Sequence, residues 1–412
     1  MKDATRRRRA ALFALFFLPG LGLAAWMTRT PDIRDLLGAS TAEMGFILFG
    51  LSVGSMSGIL CSARLVARWG TRPVITLGTA LGVAGVPLAG IGTAAPSAVL
   101  AAAGLALFGF GIGIGEVAMN IEGAEVERLL GRSVLPAMHG FFSLGTVVGG
   151  LAGWALTAVR LPVVAHLVAT GVVTAVVLAV AIGSIPAGVG RHTGPAAAGA
   201  KDRPPWRDRR MLLLGVIILA LALSEGAAND WLPLLMVDGH GAAVAVGSAV
   251  FVGFSAAMAL GRFAGGAAVN RFGRATVLRA GILVGTAGIA LVIFADSVAV
   301  AVGATVLWGL GAALGFPLAV SAAGESGDGG EGGRANAAAR VSFAATVGYT
   351  AFLVGPPTLG LLGQHFGLRH AMILVLVLVT AAVFATPATR PQDSGTGSQG
   401  SVRAHPDVAE AA

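Results

Sequence analysis

Apolar runs of about twenty residues or more fill most of the chain, and short segments rich in arginine and glycine separate them. A helix needs about 20 residues to cross a bilayer core about 30 Å thick. The alternating ten-residue pattern of a membrane β-barrel is not present in the sequence. The pattern therefore predicts an all-α membrane protein with twelve transmembrane helices. The predicted spans are 10–28, 40–65, 73–93, 97–120, 134–158, 162–185, 211–236, 242–268, 275–295, 298–322, 335–362 and 368–387.

The composition agrees with a membrane protein. Hydrophobic residues make up 55% of the chain and charged residues 12%, against about 25% charged residues in soluble domains. The single cysteine, Cys61, excludes an intrachain disulfide and a cysteine-based metal cluster. The sequence contains no nucleotide-binding loop, zinc motif or nucleophile elbow, and the Gly-x-Gly pattern of residues 107–115 lies inside a span with no strand before it. We therefore expect no enzymatic activity, no cofactor and no bound metal.

The net charge is +8, and the distribution of the basic residues along the chain indicates its orientation in the membrane. Basic residues cluster in the N-terminus, the tail and the loops after even-numbered spans, whereas the other side has few. Because cytoplasmic loops carry an excess of Lys and Arg, this asymmetry predicts a bacterial inner-membrane protein with both termini in the cytoplasm. The basic residues do not gather on one soluble face, so nucleic acid is not an expected partner.

The chain divides into two related halves. Residues 186–210 form the only long connection, rich in Gly, Pro, Ala and Arg. The sequence Arg68-Trp69-Gly70 recurs as Arg271-Phe272-Gly273, and LFGFGIGIG at 107–115 recurs as LWGLGAALG at 307–315, both about 200 residues on. We therefore predict two pseudo-symmetric six-helix bundles with the substrate site between them. The predicted units are a cytoplasmic N-terminus (1–9), bundles at 10–185 and 211–388, a cytoplasmic linker (186–210) and a disordered tail (389–412).

Two loop sequences resemble the short motif of the major facilitator superfamily, Gly-x-Leu-Ala-Asp-Arg-x-Gly-Arg. They are GAAVNRFGR at 266–274 and ARLVARWGTR at 63–72, with Asn270 and Ala67 where the family usually has Asp. The resemblance covers nearly the whole chain and implies a transporter of twelve helices. The motif implies a tight glycine turn between spans, with arginines anchored to carboxylates and helix C-termini. Its candidate gating residues here are Arg68, Gly70, Arg72, Gly266, Arg271, Gly273 and Arg274.

The runs GEVAMNIEG (115–123), HGFFSLG (139–145) and SEGAANDW (224–231) are similar to those of a little-characterised bacterial branch distantly similar to sugar permeases. In the last run, a carboxylate at Glu225 near the middle of the bilayer costs about 3 kcal/mol unless it faces a polar cavity or is protonated. Asn229 shares its helical face. We interpret Glu225 as a candidate for proton coupling or substrate binding, the alternative being a solvated cavity wall. Asp230 and Trp231 are expected near the opposite interface.

A second polar group is predicted where spans four and five meet. Glu116 and Asn120 stand four apart on one face, and a contact between Glu116 and His139 is geometrically possible. The cluster is either proton-sensitive or a hydrogen-bonded pair that joins two helices. Arg340 aligns with His139 in the repeat, and it binds an anion, pairs with a carboxylate or extends to the interface.

Other residues are expected to be structural. Trp26 and Trp231 occupy matching places in spans one and seven, and we predict membrane-interface or packing roles for them, with sugar stacking as the alternative. Arg262, near the end of span eight, is predicted to be a structural anchor.

Together these features predict a monomeric secondary transporter that moves a small solute by alternating access, driven by protons. Import of a sugar or polar metabolite and export of a drug or metabolite are the two directions. A membrane sensor is the third reading, but it would need a cytoplasmic effector region that the linker and tail do not resemble.

Overall fold

The computed structural model describes residues 2–131, 134–191, 205–325 and 333–389. Within these ranges no residue lies in a strand, and twelve helices are long and apolar enough to cross a membrane. The prediction of an all-α protein with twelve spans is confirmed. Most of the predicted linker (192–204), a glycine-rich turn (326–332) and nearly all of the predicted tail (390–412) lie outside the described residues.

The helices differ in length from the predicted spans. Their bounds are α1 Lys2–Met27, α2 Thr30–Leu37, α3 Thr41–Trp69, α4 Thr71–Ala94, α5 Ala98–Leu130, α6 Leu135–Ala158, α7 Val163–Ala181, α8 Arg209–Leu234, α9 Val244–Phe272, α10 Arg274–Phe294, α11 Val298–Ala312, α12 Gly315–Glu325, α13 Gly333–Phe366 and α14 Leu368–Ala385. Some helices, such as α1, α5 and α13, are longer than the predicted spans, whereas α6, α7 and α14 are shorter. A π-helical turn, Leu235–Gly239, extends α8. Span ten is divided between α11 and α12.

Glycines let neighbouring helices approach until their backbones touch. A Cβ added to Gly109 of α5 would lie 2.2 Å from the carbonyl oxygen of Leu51, and one added to Gly54 of α3 would lie 2.0 Å from that of Ala106. Small residues at such crossings are typical of membrane helices, which associate by packing because lipid provides no hydrophobic driving force between them. This explains the high glycine content of the chain.

Two matching glycine turns mark one side of the molecule. Gly70 alone connects α3 to α4 with φ +85°, and Gly273 alone connects α9 to α10 with φ +79°. Only glycine adopts such a conformation without strain. The predicted tight turns are therefore present in both halves. We call this side, where α1 and α8 begin and α7 ends, the linker side, and the opposite side the far side.

The two bundles close against each other on the far side. There a Cβ on Gly45 of α3 would lie 2.7 Å from the carbonyl oxygen of Pro356 of α13. The hydrogen bonds that cross between the bundles, among the described residues, also lie in this half: Ser248 Oγ to Thr28 O, the Ala42 amide to Gln364 Oε1, Ser52 Oγ to Phe352 O, and Arg34 to Asp238. Toward the linker side, the same face of α13 carries Ser342, seven residues before Tyr349, and Ser342 is exposed. The bundles also contact in the linker-side half, where a Cβ on Gly140 of α6 would lie 3.0 Å from the Phe263 ring of α9, but no hydrogen bond joins them there among the described residues.

Prolines free two carbonyl groups that other helices then use. Pro317 has no N–H to bond the carbonyl of Ala313, and this is where span ten divides into α11 and α12. Pro356 likewise leaves the carbonyl of Phe352 without its helical partner, and Ser52 of the other bundle donates to it at 2.8 Å. The helix breaks at Pro317 in span ten, whereas α13 continues through Pro356.

Candidate functional site

The membrane-embedded carboxylate of Glu225 faces an arginine. Arg262 Nη2 of α9 donates to Glu225 Oε1 at 2.9 Å, and the two side chains are 30% and 16% exposed. Glu225 lies sixteen residues after the start of α8, and so in the middle of the membrane-spanning segment. A charge at this depth needs a partner or a polar cavity, and this carboxylate has a guanidinium partner. Asn229 follows one turn later and is half-buried.

Arg262 has a second bond, to the break in span ten. Its Nε donates to the carbonyl oxygen of Ala313 at 3.2 Å, the carbonyl that Pro317 leaves without a helical partner. The sequence-based interpretation of Arg262 as an anchor at a helix end is wrong, because α9 continues ten residues beyond it to Phe272. Arg262 instead joins the carboxylate of α8 to the backbone between α11 and α12.

Glu116 lies near the other bundle. α5 packs on α4 through Gly111 and on α3 through Gly109 and Gly113. Glu116, seven residues after Gly109, lies on the face of α5 that is turned to α3. It is half-buried, and Tyr349 of the other bundle lies within electrostatic range of it. No hydrogen bond or ion pair of Glu116 is found in the part of the chain that the structure describes.

His139 contacts Asn120 and not Glu116. The distance between His139 Nε2 and Asn120 Oδ1 is 3.1 Å, so the predicted polar pair joins α5 to α6 through the amide, one turn from the carboxylate. Of the two sequence-based alternatives, the hydrogen-bonded pair is present. The Phe16 ring of α1 packs edge-on against the imidazole with a centroid distance of 5.2 Å, and Arg262 of the other bundle lies within electrostatic range of it.

Protein covers Asp230, Trp26 and Trp231 partly or fully. Asp230 is half-buried and lies nine residues before the end of the α8 extension at Gly239, and its expected place near the membrane interface stays a prediction. Trp26 and Trp231 are 1% and 0% exposed and belong to the core. Both tryptophans therefore pack inside the protein, which is one of the predicted alternatives, and their depth in the membrane stays a prediction.

Arg340 pairs with a carboxylate on the linker side, away from Glu225 and Arg262. Its Nη1 donates to Asp208 Oδ2 at 2.7 Å, and Asp208 also caps the start of α8 through the amide of Arg210. Burial opposes ionisation of Asp208, but these two hydrogen bonds outweigh it and lower the pKa of the carboxyl. Of the three alternatives for Arg340, the carboxylate pair is the one present.

Ion pairs on the linker side hold the helix ends of both halves. Glu122 of α5 is fully buried, accepts from Arg8 Nε at 2.6 Å and accepts from the Thr71 hydroxyl at 2.6 Å. In the second half Arg274 Nη1 donates to Glu325 Oε2 of α12 at 2.7 Å. The first half thus uses Arg8 and Thr71 where the second uses a motif arginine.

The candidate gating residues differ in what they contact. Gly70 and Gly273 form the turns, and Arg274 is anchored to a carboxylate, as the motif implies. Arg271 lies over the ring of its neighbour Phe272, and Arg68 is exposed. Anchoring to a carboxylate is not observed for Arg68, Arg72 or Arg271 among the described contacts. A Cβ added to Gly266 would have no atom within 4 Å, so close packing does not require glycine there.

Sequence reasoning missed the roles of Arg262 and Tyr349. The sequence did contain a signal for Arg262. This residue lies eleven positions before the glycine turn at Gly273, too far to reach the membrane interface, and the proline in span ten leaves one backbone carbonyl without a helical partner. Nothing in the sequence pairs Tyr349 with α5, because the two helices belong to different halves. Among the described residues no group of three or more His, Cys, Asp or Glu could hold a metal ion.

Comparison with known proteins gives one family across the chain. The family model described as Major Facilitator Superfamily matches residues 12–341 and 214–408. An uncharacterised MFS-type transporter of Yersinia pestis is 32% identical over 377 residues, which cover 91% of this chain and 94% of that protein. An uncharacterised transporter of Sinorhizobium fredii is 28% identical, with 91% and 96% covered.

Solved structures share the fold at low identity. The nucleoside transporter NupG, in its D323A mutant, has a TM-score of 0.74 at 12% identity and covers 93% of this chain and 99% of its own. The transporter FucP in the outward conformation has a TM-score of 0.63 at 15% identity, with 93% and 98% covered. A bacterial homologue of the human lysosomal transporter Spinster, inward-facing and unoccupied, has a TM-score of 0.68 at 17% identity, with 95% and 98% covered.

Proposed function

Because the chain belongs to the major facilitator superfamily of transporters, we propose that it imports a small polar solute by proton-driven alternating access of one central site. It acts as a monomer in the bacterial inner membrane with both termini in the cytoplasm. The observation that carries the proposal is the set of ionisable and amide side chains that both bundles place within their membrane-spanning helices. They are Glu116, Asn120 and His139 from one bundle, and Glu225, Asn229, Arg262 and Tyr349 from the other.

A site divided between two bundles suits alternating access. In this conformation the hydrogen bonds between the bundles, among the described residues, lie on the far side, whereas Gly140 and Phe263 meet in the linker-side half without one. With the termini in the cytoplasm, opening at the contact of Gly140 and Phe263 would make the protein inward-facing. Rotation of one bundle against the other would expose the same groups to the other side, and the bound solute would then exchange with the exterior.

The proton requires a carboxyl group whose charge can change during the cycle. Glu225 is paired with Arg262, so its charge is compensated by an adjacent guanidinium. Glu116 has no such partner among the described residues, so an ionised Glu116 would be an uncompensated charge in the membrane. We therefore assign the proton to Glu116 and solute binding to the Glu225–Arg262 pair with Asn229.

The solute class follows from the side chains that line the site. Amide, imidazole, carboxylate and guanidinium groups donate and accept hydrogen bonds, and they match a hydroxylated molecule better than an apolar one. Two proteins that share the fold have names that state polar solutes: NupG is a nucleoside transporter and FucP is a fucose:proton symporter. The fold alone does not carry over their solutes.

The first experiment identifies the solute. Purified protein is screened by thermal shift against sugars, nucleosides, other metabolites and drugs, because a ligand that binds the folded state raises the melting temperature. The radiolabelled solute that gives the largest shift is then offered to proteoliposomes with an imposed proton gradient. Accumulation that follows the gradient and is lost when an ionophore removes it supports the proposal. Transport that is indifferent to the gradient refutes proton coupling.

Two matched variants separate the proton from the solute. Glu116→Gln is expected to abolish accumulation and leave solute counterflow intact, because exchange of one solute molecule for another needs no net proton movement. Glu225→Gln is expected to weaken binding, and therefore to lower both activities. The opposite assignment of the two phenotypes, in protein that elutes as a folded monomer, would refute the division of roles.

Export is the second candidate, and one observation favours it. Aromatic rings adjoin the polar group: Phe16 contacts His139, and Phe13 stacks on Phe141 at 4.5 Å. A partly apolar drug or metabolite would bind such a surface. Inside-out and right-side-out vesicles under the same gradient distinguish the directions, and resistance lost on deletion of the gene would support export.

A further inference from the structure

The break in span ten lies directly beside the charge pair of the central site. α11 ends at Ala312 and α12 begins at Gly315, and Pro317 supplies no N–H to the carbonyl of Ala313. Ala313 is fully buried, and an unbonded carbonyl in that setting is unfavourable. Arg262 Nε satisfies it at 3.2 Å. The break therefore depends on a side chain from another helix for its hydrogen bond.

The same guanidinium holds Glu225. Nη2 bonds the carboxylate at 2.9 Å while Nε bonds the carbonyl. The guanidinium is planar and its donors have a fixed geometry, so a shift that improves one bond changes the other. Around the break the packing is close: a Cβ on Gly261 would lie 2.6 Å from that of Ala313, and one on Gly265 would lie 2.3 Å from the Leu314 side chain. The backbone of α9 on both sides of Arg262 therefore packs directly on the break.

α12 carries this connection to the linker side. It runs from the break to Glu325, which forms the ion pair with Arg274 at the start of α10. A change in angle at the break would displace Glu325 relative to Arg274. One chain of contacts thus extends from the central carboxylate to the linker-side ends of the second bundle.

We infer that Arg262 is a positioning residue that couples the central site to the break in span ten: a solute that engages Glu225 or Arg262 loosens the bond to Ala313 and lets α12 change its angle. The inference rests on the proposed function, because it treats the Glu225–Arg262 pair as the solute site. It adds that binding of the solute changes the helix at the break. This coupling needs both the proline, which frees the carbonyl, and the arginine, which donates a hydrogen bond to it.

The test uses hydrogen exchange of the purified protein without solute. Glu225→Gln removes the charge that holds the guanidinium, and it is expected to speed exchange of amides in residues 312–320 about fivefold, the equivalent of one net hydrogen bond. Arg262→Lys, which keeps a positive charge but lacks the two-pronged geometry, should have the same effect. Arg274→Lys is the matched control, because this arginine holds the other end of α12, and it should leave residues 312–320 unchanged.

Pro317→Ala distinguishes coupling from general loosening. Alanine restores an N–H that can bond the Ala313 carbonyl within the helix, so exchange of this segment should slow and become insensitive to Glu225→Gln. An acceleration by Glu225→Gln that is equal with and without Pro317→Ala would overturn the inference, as would a wild-type rate in the single variant. Exchange of α4 peptides, far from the break, reports any global loss of stability. A protein that fails to transport with protons would refute the proposed function while leaving these exchange rates as they are.

Discussion

The ion pair between Arg34 and Asp238 is the contact through which the far side can be opened by one substitution. Arg34 belongs to the short helix α2 of the first bundle, and Asp238 belongs to the π-helical turn at the end of α8. The pair therefore forms when the bundles are closed on the far side and separates when they open. We predict that Asp238→Asn raises the population of far-side-open protein.

The magnitude follows from how exposed the pair is. The two side chains are 19% and 29% exposed, between the fully solvated pairs that contribute about 0.2–1 kcal/mol and buried ones. We expect Asp238→Asn to reduce the free energy that favours the far-side-closed state by about 1–1.4 kcal/mol. This is a population shift of about five- to tenfold, since about 1.4 kcal/mol is one factor of ten. Arg34 also donates to Asp35 in its own helix at 2.7 Å. That bond does not cross between bundles, so Asp35→Asn should change the population less than twofold, by the same arithmetic on about 0.4 kcal/mol or less.

A buried cysteine measures the population. Ser248 is fully buried and donates to the carbonyl of Thr28 across the closed far side. In a background with Cys61→Ser, the rate at which a Ser248→Cys thiol reacts with an impermeant maleimide added from the far side is proportional to the open fraction. Asp238→Asn should raise this rate about five- to tenfold by the free energy above, and Arg34→Glu with Asp238→Arg should restore it. Equal rates for Asp238→Asn and Asp35→Asn would refute the reasoning.

Three further predictions concern stability, measured as the unfolding midpoint in detergent. Glu122→Gln leaves a buried arginine without its counter-charge and should lower the free energy of unfolding by about 3–5 kcal/mol. Glu325 has a side chain that is 47% exposed, so Glu325→Gln should lower it by about 1 kcal/mol or less. Similar losses for the two variants would contradict the argument from burial. Gly109→Ala places a Cβ 2.2 Å from a backbone oxygen and should destabilise strongly, whereas Gly303→Ala meets no atom within 4 Å and should be neutral or slightly stabilising. Asp208→Asn keeps the helix cap and loses the ion pair. Because hydrogen bonds lower the pKa of Asp208, the wild-type protein should be more stable than the variant at neutral pH. This difference in stability should vanish as the pH falls through the pKa of the folded carboxyl. A difference that grows in acid would contradict that sign.

The sequence alone determined the architecture of this transporter. Twelve apolar runs, two copies of a glycine turn and a repeat of about 200 residues define twelve helices in two bundles, because lipid leaves helices as the way to satisfy every backbone group of such a segment. It also indicated that Glu116 and Glu225 are unusual, because a carboxylate in an apolar run is costly wherever the helix packs. These inferences are local to one segment, and local chemistry decides them.

Only the tertiary structure decided which polar groups meet. Arg262 and Glu225 lie on helices whose mutual rotation the sequence does not fix, and α9 extends far enough to place Arg262 beside a carbonyl that Pro317 frees on a third helix. Trp26 and Trp231 were predicted from residue type, yet burial depends on which face each helix turns to its neighbours, and here the core covers both. The cost of an unpaired charge is a property of the residue, whereas the partner that removes the cost is set by how separate helices pack.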